Sequence, residues 1–310
     1  MPRMPAISLI APPGNRMATI ELAKEIEKKG FSGIYTPSVG DTLALCEAIS
    51  FATNEIKFGT SIMPIYFRTA YDIANTISFI HEISNGRFSF GIGVSHELIL
   101  VDSGFPSKKK PLTDMRNFVT ELKNISKSGS GSKLLPPTGE LPPIILAGLR
   151  NKMVSMSEEI ANGVVFANAC LSQTPTSLSS LSNSSSKDEF FIGNMIPTCV
   201  NDDISTAKSV IRNSLLFYVM LPNYRAYWRE SGYVEEMEGI ENALSHNKPE
   251  DIPHFITDRF LKDIALYGTA TDIRDTLDSW FDAGIKTPIL VPSSENGDRI
   301  HAINEIMGIY

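Results

Sequence analysis

Among the side chains of this sequence, His96 is the one best suited to moving a proton. An unperturbed imidazole titrates near neutrality, and His96 with Ser95 directly follows the apolar run of residues 87–94, RFSFGIGV. A histidine in a solvated loop would have the same neighbours, so both roles stay open at this point. A second candidate is the turn Gly148-Leu149-Arg150-Asn151, which follows the apolar run PIILA at 143–147. Glycine lets a backbone approach a ligand closely, amides that open a helix favour an anion, and Arg150 adds a planar cationic fork. An ordinary strand-to-helix turn with an exposed arginine would read the same way. The remaining histidines, His81, His246, His254 and His301, show no H-x-H or H-x-x-x-H spacing, and Cys46, Cys170 and Cys199 no C-x-x-C spacing. Neither a metal site nor a disulfide framework is expected.

These candidates need elements to position them. Short apolar runs alternate with longer amphipathic ones along the chain. Strands are expected at 6–11, 31–35, 57–65, 87–94, 143–147, 163–167, 190–197 and 287–292. Helical spacing lies between them, at 18–29, 42–53, 69–83, 111–126, 152–161, more weakly at 177–188, over the long stretch 204–266, and at 269–283. Strands buried on both faces and joined by helices pair in parallel, and eight such units over 310 residues predict an α/β fold, a (β/α)₈ barrel. An open doubly wound sheet is the competing fold, but no strand leads into an intact G-x-G-x-x-G turn. Residues 126–140, rich in Gly, Ser and Pro, read as a flexible surface loop. Residues 218–261 are too long for one crossover and read as a helical insertion in an otherwise single domain spanning 1–310. Their aromatics, Tyr218, Tyr224, Tyr227, Trp228 and Tyr233, are read mainly as helix packing, with one or two facing a pocket.

Composition narrows the partners. Hydrophobic residues make up 42% and charged ones 20%, ordinary for a globular chain, and the formal net charge is -7. An acidic balance argues against nucleic acid or an anionic membrane surface as partner. The basic run Lys108-Lys109-Lys110 is read as solvated loop. No segment has the roughly 18–20 apolar residues of a membrane span, so a cytoplasmic protein is expected.

Active sites of parallel barrels sit at the carboxyl ends of the strands. That rule selects Tyr35, Thr36 and Ser38 at the second strand, and Ser61, Ile62, Met63 and Arg68 at the third. It adds Ser95, His96 and Glu97 at the fourth, Gly148 to Asn151 at the fifth, Asn168 at the sixth and Asn194 at the seventh.

Several segments resemble the luciferase-like monooxygenase superfamily. The stretch GTSIMPIYFR at 59–68 is similar to that family's G-T-x-h-x-P-h-x-x-R, where h is apolar. HEISNGRFSFGIGV at 81–94 is similar to its h-D-x-h-S-x-G-R-h-x-h-G-h-G, departing at His81-Glu82. PPIILAGLRNKM at 142–153 resembles its phosphate loop, with Arg150-Asn151 in place of Gly-Pro. EIANGVV at 159–165, YGTATDI at 267–273 and DAGIKTPIL at 282–290 follow in the family's order.

The resemblance implies a flavin-dependent oxidoreductase with a small-molecule substrate. One reading is a monooxygenase that uses oxygen and reduced FMN supplied by a separate flavin reductase. A second is a hydride-transferring dehydrogenase or reductase that uses the 8-hydroxy-5-deazaflavin coenzyme. A third is a non-catalytic flavin-binding protein, for which the altered phosphate turn is the only sequence hint. Strand-end placement and resemblance together nominate Thr36, Ser61, Ile62, Met63, Gly93, Gly148, Leu149, Arg150, Asn151 and Asn168 for the cofactor, and His96 with Ser95 for catalysis. The family also implies a cis peptide at Ser61–Ile62 and a homodimer whose face would be Tyr71, Ile73, Ile77, Phe79 and Ile80.

Overall fold

Runs such as GVVFA and IILA have no polar alternation, so both faces of each strand must be covered. In the computed structural model they are: Ile144, Ile145, Leu146, Val164 and Val165 are all buried. The structure describes residues 3–105, 110–128, 136–181 and 188–310. They fall into two compact units, residues 1–165 with 180–192, and residues 166–179 with 193–310.

In the first unit the strands are β1 (Ala6–Ser8), β2 (Ile34–Thr36), β3 (Phe58–Thr60), β4 (Met63–Pro64), β5 (Phe88–Gly93), β6 (Ile144–Ala147) and β7 (Gly163–Ala167). β1 pairs with β2, β2 with β3, β3 and β4 with β5, β5 with β6 and β6 with β7, every pair parallel. Helices α1 (Arg16–Lys28), α2 (Thr42–Ala52), α3 (Ala70–Ile83), the short α4 (Glu97–Asp102), α5 (Pro111–Ser128) and α6 (Asn151–Ile160) connect them. Helix starts are set locally. Asp41 accepts from the Ala44 amide at 3.2 Å and Thr69 from the Asp72 amide at 3.3 Å, which satisfies donors that a helix leaves unpaired. α5 buries Met115, Phe118, Val119, Leu122 and Ile125, one stripe at helical spacing.

The second unit holds α7 (Thr174–Leu178), β8 (Phe191–Val200), β9 (Leu266–Gly268) and β10 (Thr287–Pro292). β8 pairs in parallel with β10 from Gly193 to Thr198 and with β9 from Thr198 to Val200. Helices α8 (Ile204–Val219), α9 (Pro222–Glu230), α10 (Val234–Ser245), α11 (Ile252–Phe255) and α12 (Asp258–Ile264) separate β8 from β9; α13 (Ala270–Asp282) and α14 (Arg299–Met307) follow. The aromatics of this stretch form a packed array. Tyr218, Tyr224, Trp228, Phe260 and Tyr233 succeed one another at ring separations of 4.8–5.2 Å, and Trp228 is fully buried.

Several expectations are corrected. The single strand expected at 57–65 is two, β3 and β4, interrupted at Ser61 and Ile62. The continuous helix expected at 204–266 is five, because Pro222, Gly232 at φ 93°, Asn247 at φ 52° and Pro253 end or restart helical turns. β9 went unforeseen. The proposed dimer face is instead core: Ile73, Ile77 and Ile80 are completely buried, leaving only Phe79, 51% exposed, and part of Tyr71. α3 spends its apolar stripe inside its own unit, among α2, α5 and β5. Of the expected loop 126–140, residues 126–128 end α5, 136–140 are irregular, and 129–135 lie outside the described residues. So do 182–187 of the weak helix and Lys108 and Lys109.

Below the strands of the first unit one ionic network ties several elements together. Arg87 donates to the carbonyls of Ser50, Thr53, Ile56 and Ser84 and to the Thr53 hydroxyl, at 2.9–3.1 Å. Glu27 accepts from the amides of Asn54, Glu55 and Ile56 at 2.7–2.9 Å. Burial raises the Glu27 pKa, but the three amides and the Arg87 charge outweigh it and leave the carboxyl below its usual range. A carboxylate lowered in this way stabilises the fold above its unfolded pKa and stops doing so as pH falls through the folded value. Glu27→Gln should therefore lower the urea midpoint at pH 7, and the gap from the parent should close below about pH 4.

Candidate active site

The interruption between β3 and β4 is built by glycine. β5 carries Gly91 and Gly93 where the chain of Thr60 to Ile62 crosses it. A Cβ on Gly91 would fall on the Thr60 carbonyl oxygen, well inside contact distance. One on Gly93 would lie 2.7 Å from Ile62 Cδ1 and 3.2 Å from Ala147 Cβ. The Thr60 hydroxyl donates to the Gly91 carbonyl at 2.6 Å, and the Ser61 amide to the Thr36 carbonyl at 2.7 Å. The Ser61–Ile62 peptide is cis. The Ser61 hydroxyl is buried and has no hydrogen-bond partner among the described residues. Such an atom wants an acceptor or donor that the protein itself does not supply.

At the fifth strand, Gly148 follows β6 and sits tight. A Cβ there would come within 2.8 Å of Val164 Cγ2. Its amide is committed to the Val165 carbonyl at 3.0 Å. An anion would therefore be met by the amides of Leu149, Asn151 and Lys152 at the start of α6, since those of Met153 and Val154 already donate to the Arg150 carbonyl. Arg150 is the residue before that helix, exposed, and makes no side-chain cap. Beside this helix start is a cleft of about 470 Å³ between α5 and α6, with Arg116 and Lys152 on its walls.

His96 stands immediately before α4 and is half-buried, after Ser95 in the left-handed conformation at φ 59°. That conformation is uncommon for serine and turns the chain sharply out of β5. Beyond the carboxyl ends of β2, β4 and β5 lie Val39, Phe67, Leu98 and Val101, which are 40–58% exposed. An exposed apolar rim above strand ends is what a ring-shaped ligand would cover. Sequence reasoning passed over these four, because an apolar loop residue carries no periodicity to betray its exposure.

In the second unit, Asn168 directly follows β7 in the left-handed conformation, φ 53°. Its amide donates to the Met195 carbonyl at 3.0 Å, and its own carbonyl accepts from Trp228 Nε1 at 3.1 Å. Asn194 Oδ1 accepts from the Ala169 amide at 3.4 Å. Both side-chain NH₂ groups are buried without partners among the described residues. Asn194 lies within β8 rather than beyond it, since that strand runs on to Val200.

The family model described as luciferase-like monooxygenase matches residues 8–287. The chain belongs to this family. A curated relative, the 5,10-methylenetetrahydromethanopterin reductase of Methanolobus tindarius, is 26% identical over 157 residues, a match spanning 46% of this chain and 48% of that protein. The solved coenzyme F420-dependent tetrahydromethanopterin reductase of Methanopyrus kandleri superposes with a TM-score of 0.78 at 16% identity, covering 98% of this chain and 97% of that one. The oxygenating constituent of 3,6-diketocamphane monooxygenase from Pseudomonas putida, solved with FMN, gives a TM-score of 0.67 at 15% identity over 99% and 96%. These likenesses show the fold to be the parallel (β/α)₈ barrel that the sequence predicted. No helix among the described residues is long and apolar enough to cross a membrane, and none of their His, Cys, Asp and Glu side chains group as a metal site.

Within this luciferase-like chain, the first unit brings together Ser61, Ile62, Met63 and Gly93 around the β3–β4 interruption. Met63 pairs with Ile92 and Pro64 with Gly93. Thr36 is turned inward: it is 1% exposed, and its hydroxyl donates to the Gly59 carbonyl at 3.3 Å. A flavin or deazaflavin fits what is present, with amides and a cation for a phosphate, an apolar rim for a ring system and an unpartnered buried hydroxyl. The two glycines differ in what surrounds them. Gly91→Ala meets backbone that cannot yield and should cost about 2 kcal/mol or more, whereas Gly93→Ala meets the tip of a side chain and should cost less. Urea unfolding of the two variants checks the order; equal losses would mean that the Thr60 backbone yields as easily as the Ile62 side chain.

Proposed function

We propose that this chain is a deazaflavin-dependent oxidoreductase that transfers hydride to or from a small organic substrate. The observation that carries the proposal is the full-length likeness, at the higher TM-score, to an F420-dependent reductase, together with a curated relative that is a reductase. The amides that open α6, with Arg150, would hold the cofactor phosphate, and Ile62, Met63 and Gly93 would wall its ring. When bound, the cofactor supplies a two-electron hydride carrier. The protein supplies orientation, exclusion of water by the apolar rim, and proton transfer at His96, whose imidazole nitrogens would give a proton to, or take one from, the substrate heteroatom.

The second reading is an FMN monooxygenase, favoured by the FMN-bound neighbour. Absorbance titration with F420 and with FMN separates the two. F420 binding with substrate turnover that persists without oxygen supports hydride transfer. FMN binding with oxygen uptake supports the second reading, and binding of neither cofactor overturns both.

Two variants test the assigned residues. Arg150→Ala should weaken binding of the phosphate-bearing cofactor by up to about tenfold at low salt and by less at high salt, since the side chain is exposed. Affinity unchanged at low salt would move the phosphate elsewhere. His96→Asn keeps a hydrogen-bonding group but removes the titrating one. Turnover should fall by about 10²–10⁴-fold with cofactor affinity retained. A loss confined to KM would make His96 a positioning residue.

A further inference from the structure

The loop that leaves β7 is fastened by every one of its first amides. From Asn168 to Ser172 each backbone N–H has an acceptor at 2.7–3.4 Å: in turn the Met195 carbonyl, Asn194 Oδ1, the Tyr227 hydroxyl, the Asp263 carbonyl and the Asp263 carboxylate. Trp228 Nε1 holds the Asn168 carbonyl at 3.1 Å, and the Thr174 hydroxyl donates to the Cys170 carbonyl at 2.9 Å. Buried segments normally answer their polar groups in this way. Against that background two donors stand out. The side-chain NH₂ groups of Asn168, 3% exposed, and Asn194, fully buried, have no partner among the described residues.

Two of the same hydrogen bonds bring these asparagines together. The Asn168 amide donates to the carbonyl of Met195, the residue after Asn194, and the next amide, that of Ala169, donates to Asn194 Oδ1. The second bond also sets the direction of the Asn194 carboxamide. Its oxygen is spent on the loop, so its NH₂ group faces away from Ala169. Neither residue shifts readily. Asn168 is left-handed at φ 53° with its amide and carbonyl both engaged, and Asn194 lies inside β8, paired with Pro288 of β10. A buried donor without an acceptor costs stability, and an apolar side chain of similar size at position 194 would avoid that cost. Both donors stand at the level where β7 ends, and parallel barrels meet their ligands at that end of the strands.

We propose that Asn168 and Asn194 form a binding site for a neutral carbonyl oxygen carried by the substrate. Such an oxygen has two lone pairs and no proton to give, which matches two fixed N–H donors. An anion fits less well, because two carboxamides bring no charge to offset its desolvation, and a cation would meet the positive ends of both dipoles. As a statement about the substrate the proposal rests on the enzymatic reading above; as a binding site it does not.

The test is nuclear magnetic resonance of the isotope-labelled full chain, its side-chain carboxamide signals assigned through the backbone. Cyclohexanone and acetate are titrated separately, with and without F420. Cyclohexanone should move the Asn168 and Asn194 NH₂ signals together and saturably, and acetate should leave them in place. Asn194→Leu, and Asn168→Gly, which keeps the left-handed backbone, should each weaken cyclohexanone binding by about tenfold. The unfolding midpoint of Asn194→Leu should stay within a few degrees of the parent's, since its NH₂ group has no protein partner to lose; a fall of about 10 °C or more would assign the carboxamide to the fold and overturn the site. Should a variant fail to fold, the parent titration still decides. Signals unmoved by the ketone at tens of millimolar, with and without F420, or moved equally by acetate, overturn the proposal. If F420 alone moves both signals and excludes cyclohexanone, the carbonyl belongs to the cofactor ring and the substrate assignment fails. Failure of both F420 and FMN to bind the parent removes the enzymatic reading, whereas ketone binding at these two residues would stand without it.

Discussion

The crowding of β5 against the Thr60–Ile62 crossing is the constraint on which the first unit depends. Any side chain at Gly91 would strike the Thr60 carbonyl, so the strand can be that close only because it lacks one. The closeness lets the Thr60 hydroxyl reach the Gly91 carbonyl, and it puts Ile62 against Gly93. Everything assigned to a cofactor ring sits on this contact. The buried Ser61 hydroxyl is a by-product of the same geometry: the backbone around it is tied to Thr36 and β5, and among the described residues the side chain finds no hydrogen-bond partner.

Elsewhere in the first unit the same logic keeps that contact in place. Arg87 begins the approach to β5, and its guanidinium gathers carbonyls from the end of α2 and the loops beside β3 and α3. A half-buried cation with five acceptors is far from its solution state, but each donor is answered, so desolvation is offset. The ends of β3 and β5 away from the site are fixed polar anchors, and the opposite ends are left to glycine turns and exposed apolar residues. Rigid support below and unsatisfied groups above is the arrangement that binding requires.

The second unit solves a different problem. Its long run between β8 and β9 packs largely on its own aromatics, from Tyr218 through Trp228 and Phe260 to Tyr233. Trp228 does double duty there, filling the core and accepting the task of holding the Asn168 carbonyl. A left-handed asparagine so pinned projects its amide with little freedom. Buried polar groups in such a place are expensive unless satisfied, and the side-chain NH₂ groups of Asn168 and Asn194 are both buried without partners among the described residues.

What the sequence determined by itself was whatever depends on local pattern. Uninterrupted apolar runs could only be strands buried on both faces, and the helical spacing between them required parallel pairing, hence the barrel. The turn after β6 was legible for the same reason, since glycine, a cation and a helix start announce themselves within four residues. Tertiary structure decided everything that rests on distance between segments remote in the chain. The break at Ser61 and Ile62 comes from Gly91, thirty residues on, and no window of sequence contains both. Ile73, Ile77 and Ile80 form an apolar stripe that fits a partner or an interior equally well, and only the fold buries it within the unit. Periodicity is a property of neighbours along the chain, whereas desolvation and unsatisfied hydrogen bonding are properties of neighbours in space, which only folding supplies.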